Sequence, residues 1–202
     1  MRRNQKILVT VLWGVAVLGI LALVAGGLWT RHDNLPDIKF DGPKFSLTDQ
    51  LGRNVTDANL HGNVWIAMVF FTQCPGVCPM ISSRMEQLEK AVSRPDIKIV
   101  SFSVDPEHDT PEAMKAYADK FSADPNRWYM LTGPKDTMFD IARNGLKLTA
   151  MPATGGNPIV HSQQVLLIDR EDHVRAVYDT NDDDSMKKLA EDAQNLAAET
   201  SG

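Results

Sequence analysis

Cysteine is scarce in this chain, with two residues among 202. That number excludes a disulfide-dense scaffold and a four-cysteine zinc site. Basic residues are not in excess either, because 21 lysines and arginines face 26 aspartates and glutamates, for a formal net charge of −5. A nucleic-acid-binding protein is therefore not expected, since it would need a basic surplus to neutralise phosphates. What is present, a 43% hydrophobic composition, indicates one globular domain with an appendage.

The appendage is the apolar segment 7–29, which contains no charged side chain. At about 1.5 Å of rise per residue it is long enough to span a hydrocarbon core of about 30 Å. Arg2, Arg3 and Lys6 precede it, and such cations favour the cytoplasmic side of a membrane. The sequence therefore predicts an N-terminal transmembrane helix and an exported domain, in a bacterium at the inner membrane and facing the periplasm. A cleaved signal peptide is the alternative, although its apolar core is usually shorter, about 7–15 residues.

The domain boundaries follow from this segment. Residues 1–30 are predicted to be a membrane anchor or an uncleaved signal, residues 31–43 a linker containing proline and glycine, and residues 44–199 the globular domain. All 26 acidic residues but only 18 of the 21 basic ones follow the anchor, so the exported part has a formal net charge of −8. We expect this charge to serve mainly solubility.

The globular part alternates predicted strands and helices. Short apolar runs at 64–71 and 97–104 are typical of strands that are buried on both faces. The predicted elements are a hairpin over 45–55, strand 64–71, helix 79–92, strand 97–104, helix 111–121, strand 128–131, helix 136–143 with Gly145 as its C-cap, antiparallel strands 164–169 and 174–178, and helix 182–198. This order predicts an α/β fold, a thioredoxin-like mixed sheet flanked by helices.

Both cysteines lie in one motif, Cys74-Pro-Gly-Val-Cys78-Pro, between the first buried strand and a predicted helix. Open α/β sheets place their sites at the carboxyl ends of strands. The helix N-terminus favours a thiolate, so we expect at least one cysteine to have a lowered pKa. The three intervening residues let both sulfurs converge on a soft metal ion, but they also permit a disulfide. A purely structural disulfide here would close a very short loop and would stabilise the chain little.

Two thiolates leave a metal undercoordinated, so a histidine is expected as a third ligand. The chain contains His32, His61, His108, His161 and His173. His32 lies beside the predicted anchor, His61 precedes the first buried strand, and His173 falls in a hairpin turn. His108 follows the second buried strand and His161 leads into the strand at 164, so both are expected at the cysteine edge of the sheet. Position alone does not choose between these two.

Three motifs together resemble the SCO/SenC family. They are Cys74-Pro-Gly-Val-Cys78-Pro, the stretch SVDPEHDTP over 103–111, and Val160-His161-Ser162 before the strand at 164. Members of that family are membrane-anchored, thioredoxin-like copper chaperones involved in assembling cytochrome c oxidase. The three motifs occur in the family's order, and the resemblance extends over about residues 40–195.

The resemblance implies that Cys74 and Cys78 are thiolate ligands of copper and also a redox-active pair that can form a disulfide. It implies further that His161, rather than His108, is the third ligand. Asp105 matches an acidic position that is expected to support the metal loop, whereas Asp109 is interpreted as ordering the start of the next helix. Two thiolates and an imidazole favour Cu(I) and accept Cu(II) in a distorted geometry.

Two functions are compatible with such a site. The first is a copper chaperone for the CuA centre, with the copper-bearing subunit of cytochrome c oxidase as partner, and other copper chaperones or thiol oxidoreductases as further partners. The second is a thiol–disulfide oxidoreductase that reduces the cysteines of the acceptor protein. His161 distinguishes them, because dithiol exchange needs no imidazole. A peroxidase-like enzyme is disfavoured, since Pro75 and Gly76 supply no activating group, and we expect a metallochaperone rather than an enzyme.

Overall fold

The structure is a computed structural model that describes residues 13–14, 16–19, 38, 40–92 and 94–199. The chain divides into two units, Met1–Asn34 and Leu35–Gly202. In the first unit residues 13–14 and 16–19 are helical, and the rest of the predicted anchor lies outside the described residues. In the part of the chain that the structure describes, no helix combines the length and the apolar character needed to cross a membrane.

The second unit contains a mixed sheet. Its described elements are β1 (Ser46–Asp49), β2 (Asn54–Thr56), α1 (Asp57–Leu60), β3 (Val64–Phe70), α2 (Val77–Ala91), β4 (Ile97–Ser103), α3 (Pro111–Lys120), β5 (Trp128–Thr132), α4 (Lys135–Asp140), a π-helical turn (Ile141–Gly145), β6 (Ala150–Met151), β7 (Val160–His161), β8 (Gln164–Ile168), β9 (Val174–Asp179) and α5 (Asp183–Ala198). Seven strands are ordered β2-β1-β5-β4-β3-β8-β9, and β6 and β7 form a separate pair. The central strands β3, β4 and β5 are parallel, while β8 and β9 are antiparallel to their neighbours. The predicted α/β class with a mixed sheet is confirmed.

Strand β3 lies in the middle of this sheet, and every one of its residues is buried. Trp65 and Val69 belong to an apolar layer that includes residues of α4 and of the π-helical turn. Ile66 and Met68 belong to the opposite layer, which includes residues of α2, α3 and α5. Because both faces are covered, the strand has a continuous apolar sequence instead of an alternating one.

Two helix ends differ from the prediction by more than one residue. Helix α2 begins at Val77 rather than Pro79, so Cys78 lies inside its first turn. The prediction that Gly145 is a C-cap is wrong, because a π-helical turn runs through Gly145 and the cap is Leu146. Glycine is required there for space, since an added Cβ would lie 2.6 Å from Cβ of Pro43.

The end of the predicted linker packs on the globular unit. The N–H of Gly42 donates to the carbonyl of Asp172 at 2.7 Å, and the N–H of Val174 donates to the carbonyl of Phe40 at 3.0 Å. An added Cβ on Gly42 would lie 3.2 Å from both the Asp172 carbonyl and the Trp65 ring. The fold therefore includes residues 40–43, which precede the predicted boundary at residue 44.

Candidate metal centre

The cysteine motif lies where β3 ends and α2 begins, at the carboxyl edge of the parallel strands. Cys74 precedes the helix and is 9% exposed, whereas Cys78 in its first turn is fully buried. Both are free thiols. The N–H of Cys78 donates to Sγ of Cys74 at 3.4 Å. A backbone N–H at the helix N-terminus therefore donates a hydrogen bond directly to the sulfur of Cys74.

The two thiols differ in acidity. Burial opposes ionisation of Cys74, but hydrogen bonds from the Cys78 thiol and from the N–H groups of residues 76–78 outweigh it, so the pKa of Cys74 lies below its ordinary value. This is the predicted effect of a helix N-terminus. Burial, together with the hydrogen bond to Cys74, raises the pKa of Cys78 well above its usual range. Cys74 is therefore the better thiolate, and ionisation of Cys78 is disfavoured.

His161 reaches the thiols from the β6–β7 pair. Its Nε2 lies 3.0 Å from Sγ of Cys78, and its Nδ1 lies 2.9 Å from the carbonyl oxygen of Ser162. Because a carbonyl only accepts, Nδ1 carries the proton and the lone pair of Nε2 faces the thiol. Burial lowers the pKa of His161, against the opposing effect of the Ser162 carbonyl. A neutral imidazole of this kind is the form that binds metals.

Cys74, Cys78 and His161 form a compact donor set, since one ligand atom of each lies within 4.8 Å of the other two. No other group of three histidine, cysteine or acidic residues meets this criterion among the described residues. His108, the other histidine expected at this edge, is not in the set. Its Nδ1 lies 2.9 Å from the carboxylate of Asp105 in the β4–α3 loop, and the His108 side chain is exposed whereas that of Asp105 is largely buried.

The remaining histidines are remote from the thiols. His61 precedes β3 and lies 3.2 Å from the carboxylate of Asp172, at the opposite end of the strand from the cysteines. His173 lies in the turn between β8 and β9. Both positions agree with the sequence prediction, whereas His32 lies outside the described residues.

Asp109 is the carboxylate that reaches the cysteine loop. It is fully buried, and its Oδ1 accepts from the N–H of Thr72 at 3.0 Å and from the Thr72 hydroxyl at 2.6 Å. The hydroxyl of Ser103 donates to its Oδ2. Thr72 stands two residues before Cys74, so Asp109 fixes the backbone that leads to the thiols. Asp109 therefore does more than order the start of the next helix. The carboxylate of Asp105, which the sequence places near the metal loop, is hydrogen-bonded to His108 instead.

Two further side chains support the position of His161. The rings of Phe71 and His161 meet edge to face, with centroids 5.6 Å apart. Nε of Arg143 donates to the carbonyl of Ala150 at 2.6 Å, and Ala150 is the residue opposite His161 in the β6–β7 pair. The sequence predicts neither contact, because Phe71 reads as the end of an apolar strand and Arg143 belongs to no motif.

The sequence profile of the SCO1/SenC family matches residues 36–198. The chain belongs to the SCO1/SenC family. The resemblance based on three motifs is therefore confirmed. One relative within this family, the SCO1 protein homolog of Bacillus subtilis (strain 168), is 30% identical over 134 residues, which are 65% of this chain and 69% of that protein.

Solved structures of Sco proteins are similar to this chain. BsSco, a member of the Sco family of cytochrome c oxidase assembly proteins in which a disulfide switch has been identified, matches with a TM-score of 0.72 and 26% identity, over 81% of this chain and 97% of that one. ScoI of Bradyrhizobium japonicum, with copper bound, matches with a TM-score of 0.66 and 27% identity, over 78% of this chain and 99% of that one. These matches confirm the predicted thioredoxin-like fold.

Proposed function

We propose that this protein is a copper chaperone whose cargo is held by Cys74, Cys78 and His161. The observation that supports this most strongly is the approach of Nε2 of His161 to 3.0 Å from Sγ of Cys78. Two thiolates and one imidazole are a soft donor set that favours Cu(I) and accepts Cu(II). The copper-bound ScoI of Bradyrhizobium japonicum is consistent with this cargo.

A chaperone must release its cargo as well as bind it, and the two thiols suit these tasks differently. Cys74 is slightly exposed and has a lowered pKa, so it offers a ready thiolate to an incoming ion. Cys78 has a raised pKa and must lose a proton before it can bind a metal. Copper binding at Cys78 is therefore coupled to release of a proton.

We propose that the recipient is the CuA centre in the copper-bearing subunit of cytochrome c oxidase, and that other copper chaperones or thiol oxidoreductases are further partners. Membership of the family supports this, since BsSco is named among cytochrome c oxidase assembly proteins. The proposed arrangement is a transmembrane anchor over 1–30, a linker over 31–43 whose last residues, 40–43, pack on the domain, and a domain over 44–199 on the periplasmic side. The uncharged segment 7–29 behind three basic residues supports the anchor.

Copper binding is tested by adding Cu(I) and Cu(II) separately to the full chain with its thiols reduced. We expect 1:1 stoichiometry and, with Cu(II), a thiolate-to-copper charge-transfer band. His161→Ala is expected to lose stable copper binding. His108→Ala is the matched control, because His108 lies at the same sheet edge but is bonded to Asp105, and it is expected to bind normally. Failure of the wild-type chain to bind either ion, or unchanged binding by His161→Ala, contradicts the proposal.

Thiol–disulfide exchange is a second candidate function, favoured by the difference in acidity between the two cysteines. In this reaction the Cys74 thiolate attacks a disulfide of the acceptor protein, and Cys78 then displaces the acceptor's sulfur. The acceptor disulfide is reduced to two thiols, while Cys74 and Cys78 are oxidised to a disulfide. His161→Ala should leave this exchange largely intact, and Cys78→Ser should accumulate the mixed disulfide. A His161→Ala variant that loses both activities would argue against the separation of roles.

A further inference from the structure

The hairpin that carries His161 has little structure of its own. Strands β6 and β7 are two residues each, with Ala150 opposite His161 and Met151 opposite Val160. Met151 and Val160 are 51% and 43% exposed, whereas Ala150 is buried. Two-stranded ribbons are marginally stable on their own. The position of the imidazole therefore depends on contacts made from outside the hairpin.

The buried carbonyl of Ala150 is one point where such a contact is needed. The N–H of Ser162 donates to the carbonyl of Thr149 at 2.8 Å, and this bond flanks the Ala150–His161 pair. In an antiparallel ladder that makes the two residues a non-hydrogen-bonded pair, so the Ala150 carbonyl points away from β7. Ala150 is only 2% exposed, and a buried carbonyl requires a hydrogen-bond donor.

Arg143 provides that donor from the π-helical turn. Its Nε lies 2.6 Å from the Ala150 oxygen, and its guanidinium carbon lies 5.0 Å from the ring centroid of Phe139. The Phe139 ring is itself buried, so stacking on it restricts the direction in which the guanidinium donates. Wide helical turns of this type occur frequently at functional sites.

The geometry points to Arg143 as a positioning residue for the metal site. By holding the Ala150 carbonyl, Arg143 keeps the β6–β7 hairpin where Nε2 of His161 meets Sγ of Cys78. The effect of Arg143 on copper affinity rests on the proposed function, but its effect on the position of the hairpin does not. Arg143 donates to a backbone oxygen rather than to a ligand, so its loss frees the hairpin and leaves the cysteine loop in place.

Two variants separate the hydrogen bond from the rest of the side chain. Arg143→Met keeps an unbranched chain but has no N–H. Arg143→Gln places an amide nitrogen at the position along the chain that Nε occupies, so it keeps the donor and loses the charge. Arg53→Met is the control for loss of a guanidinium elsewhere, because Arg53 is also exposed and donates to the Pro125 carbonyl at 2.6 Å, ahead of β5 and away from the cysteines. Arg53 also pairs with the buried carboxylate of Asp49, so this variant reports any general loss of stability.

The effect of each substitution is tested by two measurements on the full chain with reduced thiols. The first is the Kd for Cu(I), determined by competition with a chelator, and the second is the hydrogen exchange rate of the Ser162 amide in the metal-free protein. Arg143→Met is expected to raise the Kd about tenfold, a loss in keeping with one charge-assisted hydrogen bond, and to speed the exchange of Ser162. Arg143→Gln is expected to remain close to wild type. Arg53→Met is expected to change neither quantity.

Several results would overturn this assignment. One is a folded Arg143→Met chain with the wild-type Kd for Cu(I) and the wild-type exchange rate of the Ser162 amide. Another is an equal loss of copper affinity in Arg143→Met and Arg143→Gln. Equal losses in Arg53→Met would reveal a general loss of stability instead. If Arg143→Met does not fold, Arg143→Lys replaces it, since its ammonium lies beyond the Nε position and is expected to hold the carbonyl less well than Gln. If the wild type binds no copper, the proposed function fails, while Ser162 exchange still decides whether Arg143 holds the hairpin.

Discussion

The thiols and the imidazole come from two regions that are held in different ways. The cysteine loop follows a central strand and is fixed by Asp109, a fully buried carboxylate that accepts from Thr72 and Ser103. The β6–β7 hairpin has an exposed outer face and is held by a hydrogen bond from Arg143 and a ring contact with Phe71. A donor set divided in this way lets one ligand move while the other two stay in place. The difference suits the proposed function, in which the site both keeps and releases an ion.

Asp109→Ala attacks the firmly held region and should have the largest effect on stability. The N–H and hydroxyl of Thr72 and the hydroxyl of Ser103 would lose their acceptor, and each buried unpaired group costs about 1–3 kcal/mol. We expect the free energy of unfolding to fall by about 3 kcal/mol or more, measured by denaturant titration. Asp119→Ala is the control, because Asp119 is an exposed partner of Lys115 and should cost less than about 0.5 kcal/mol. Equal stability of Asp109→Ala and wild type would refute this account of the loop.

Asp109→Asn tests the same region through pH. Burial raises the pKa of Asp109 above its ordinary value of 3.8, although its hydrogen bonds from Ser103 and Thr72 oppose the shift. Since the folded pKa exceeds the unfolded one, the stability that Asp109 contributes is complete below the unfolded pKa and is lost as pH rises through the folded pKa. Asparagine keeps an acceptor for Thr72 and does not ionise. The unfolding free energy of Asp109→Asn relative to wild type should therefore increase as pH rises from 3.8 and then level off. Parallel pH curves for the two proteins are the contrary outcome.

Phe71→Leu removes the ring that packs edge to face against the imidazole of His161. An edge-to-face ring pair contributes about 0.5–1.5 kcal/mol beyond its buried area, so we expect unfolding to become about 1 kcal/mol easier. The Kd for Cu(I) should rise as His161 gains freedom. Phe121→Leu is the matched control, since the Phe121 ring lies 5.0 Å from that of Tyr117 on α3, and it should lose stability without a change in copper affinity. An equal rise in the Kd for Cu(I) in both variants would contradict a specific role of Phe71 at the site.

Met151→Gln and Val160→Thr should have the smallest effects. Both side chains are on the exposed face of the hairpin, where substitutions usually change stability by no more than about 0.5 kcal/mol. Denaturant unfolding and the Kd for Cu(I) are expected to match wild type for each variant. A large loss of affinity in either one would show that the outer face of the hairpin also fixes His161.

The central fold is predictable from the sequence because burial on both faces leaves a clear pattern. The runs at 64–71 and 97–104 become β3 and β4 with each end within one residue of the prediction. Strands β6 and β7 are too short to show any periodicity, so the sequence predicts only a loop there. The π-helical turn differs from an α-helix in hydrogen bonding rather than in composition, which is why Gly145 is mistaken for a cap.

The candidate site is predictable only in part, because some of its residues are placed by local order and others by long-range contacts. Cys74 and Cys78 are placed by local order alone, between a strand and a helix. His161 and His108 are both placed at that edge by position, and only the family resemblance favours His161 before the structure separates them. The part played by Asp109 is not evident in the sequence, because its partner Thr72 is 37 residues away and contacts across the sheet leave no local pattern.

The contact between Cys78 and His161 joins residues that are 83 positions apart. An ion held by both would act as a removable cross-link that closes a long loop, and any ligand that binds only the folded chain stabilises it by mass action. Delivery of the cargo would then also open this cross-link. The empty chain would unfold locally at the hairpin more readily than the loaded one, so a protease or a partner protein could distinguish the copper-free form of the proposed chaperone from the copper-loaded form.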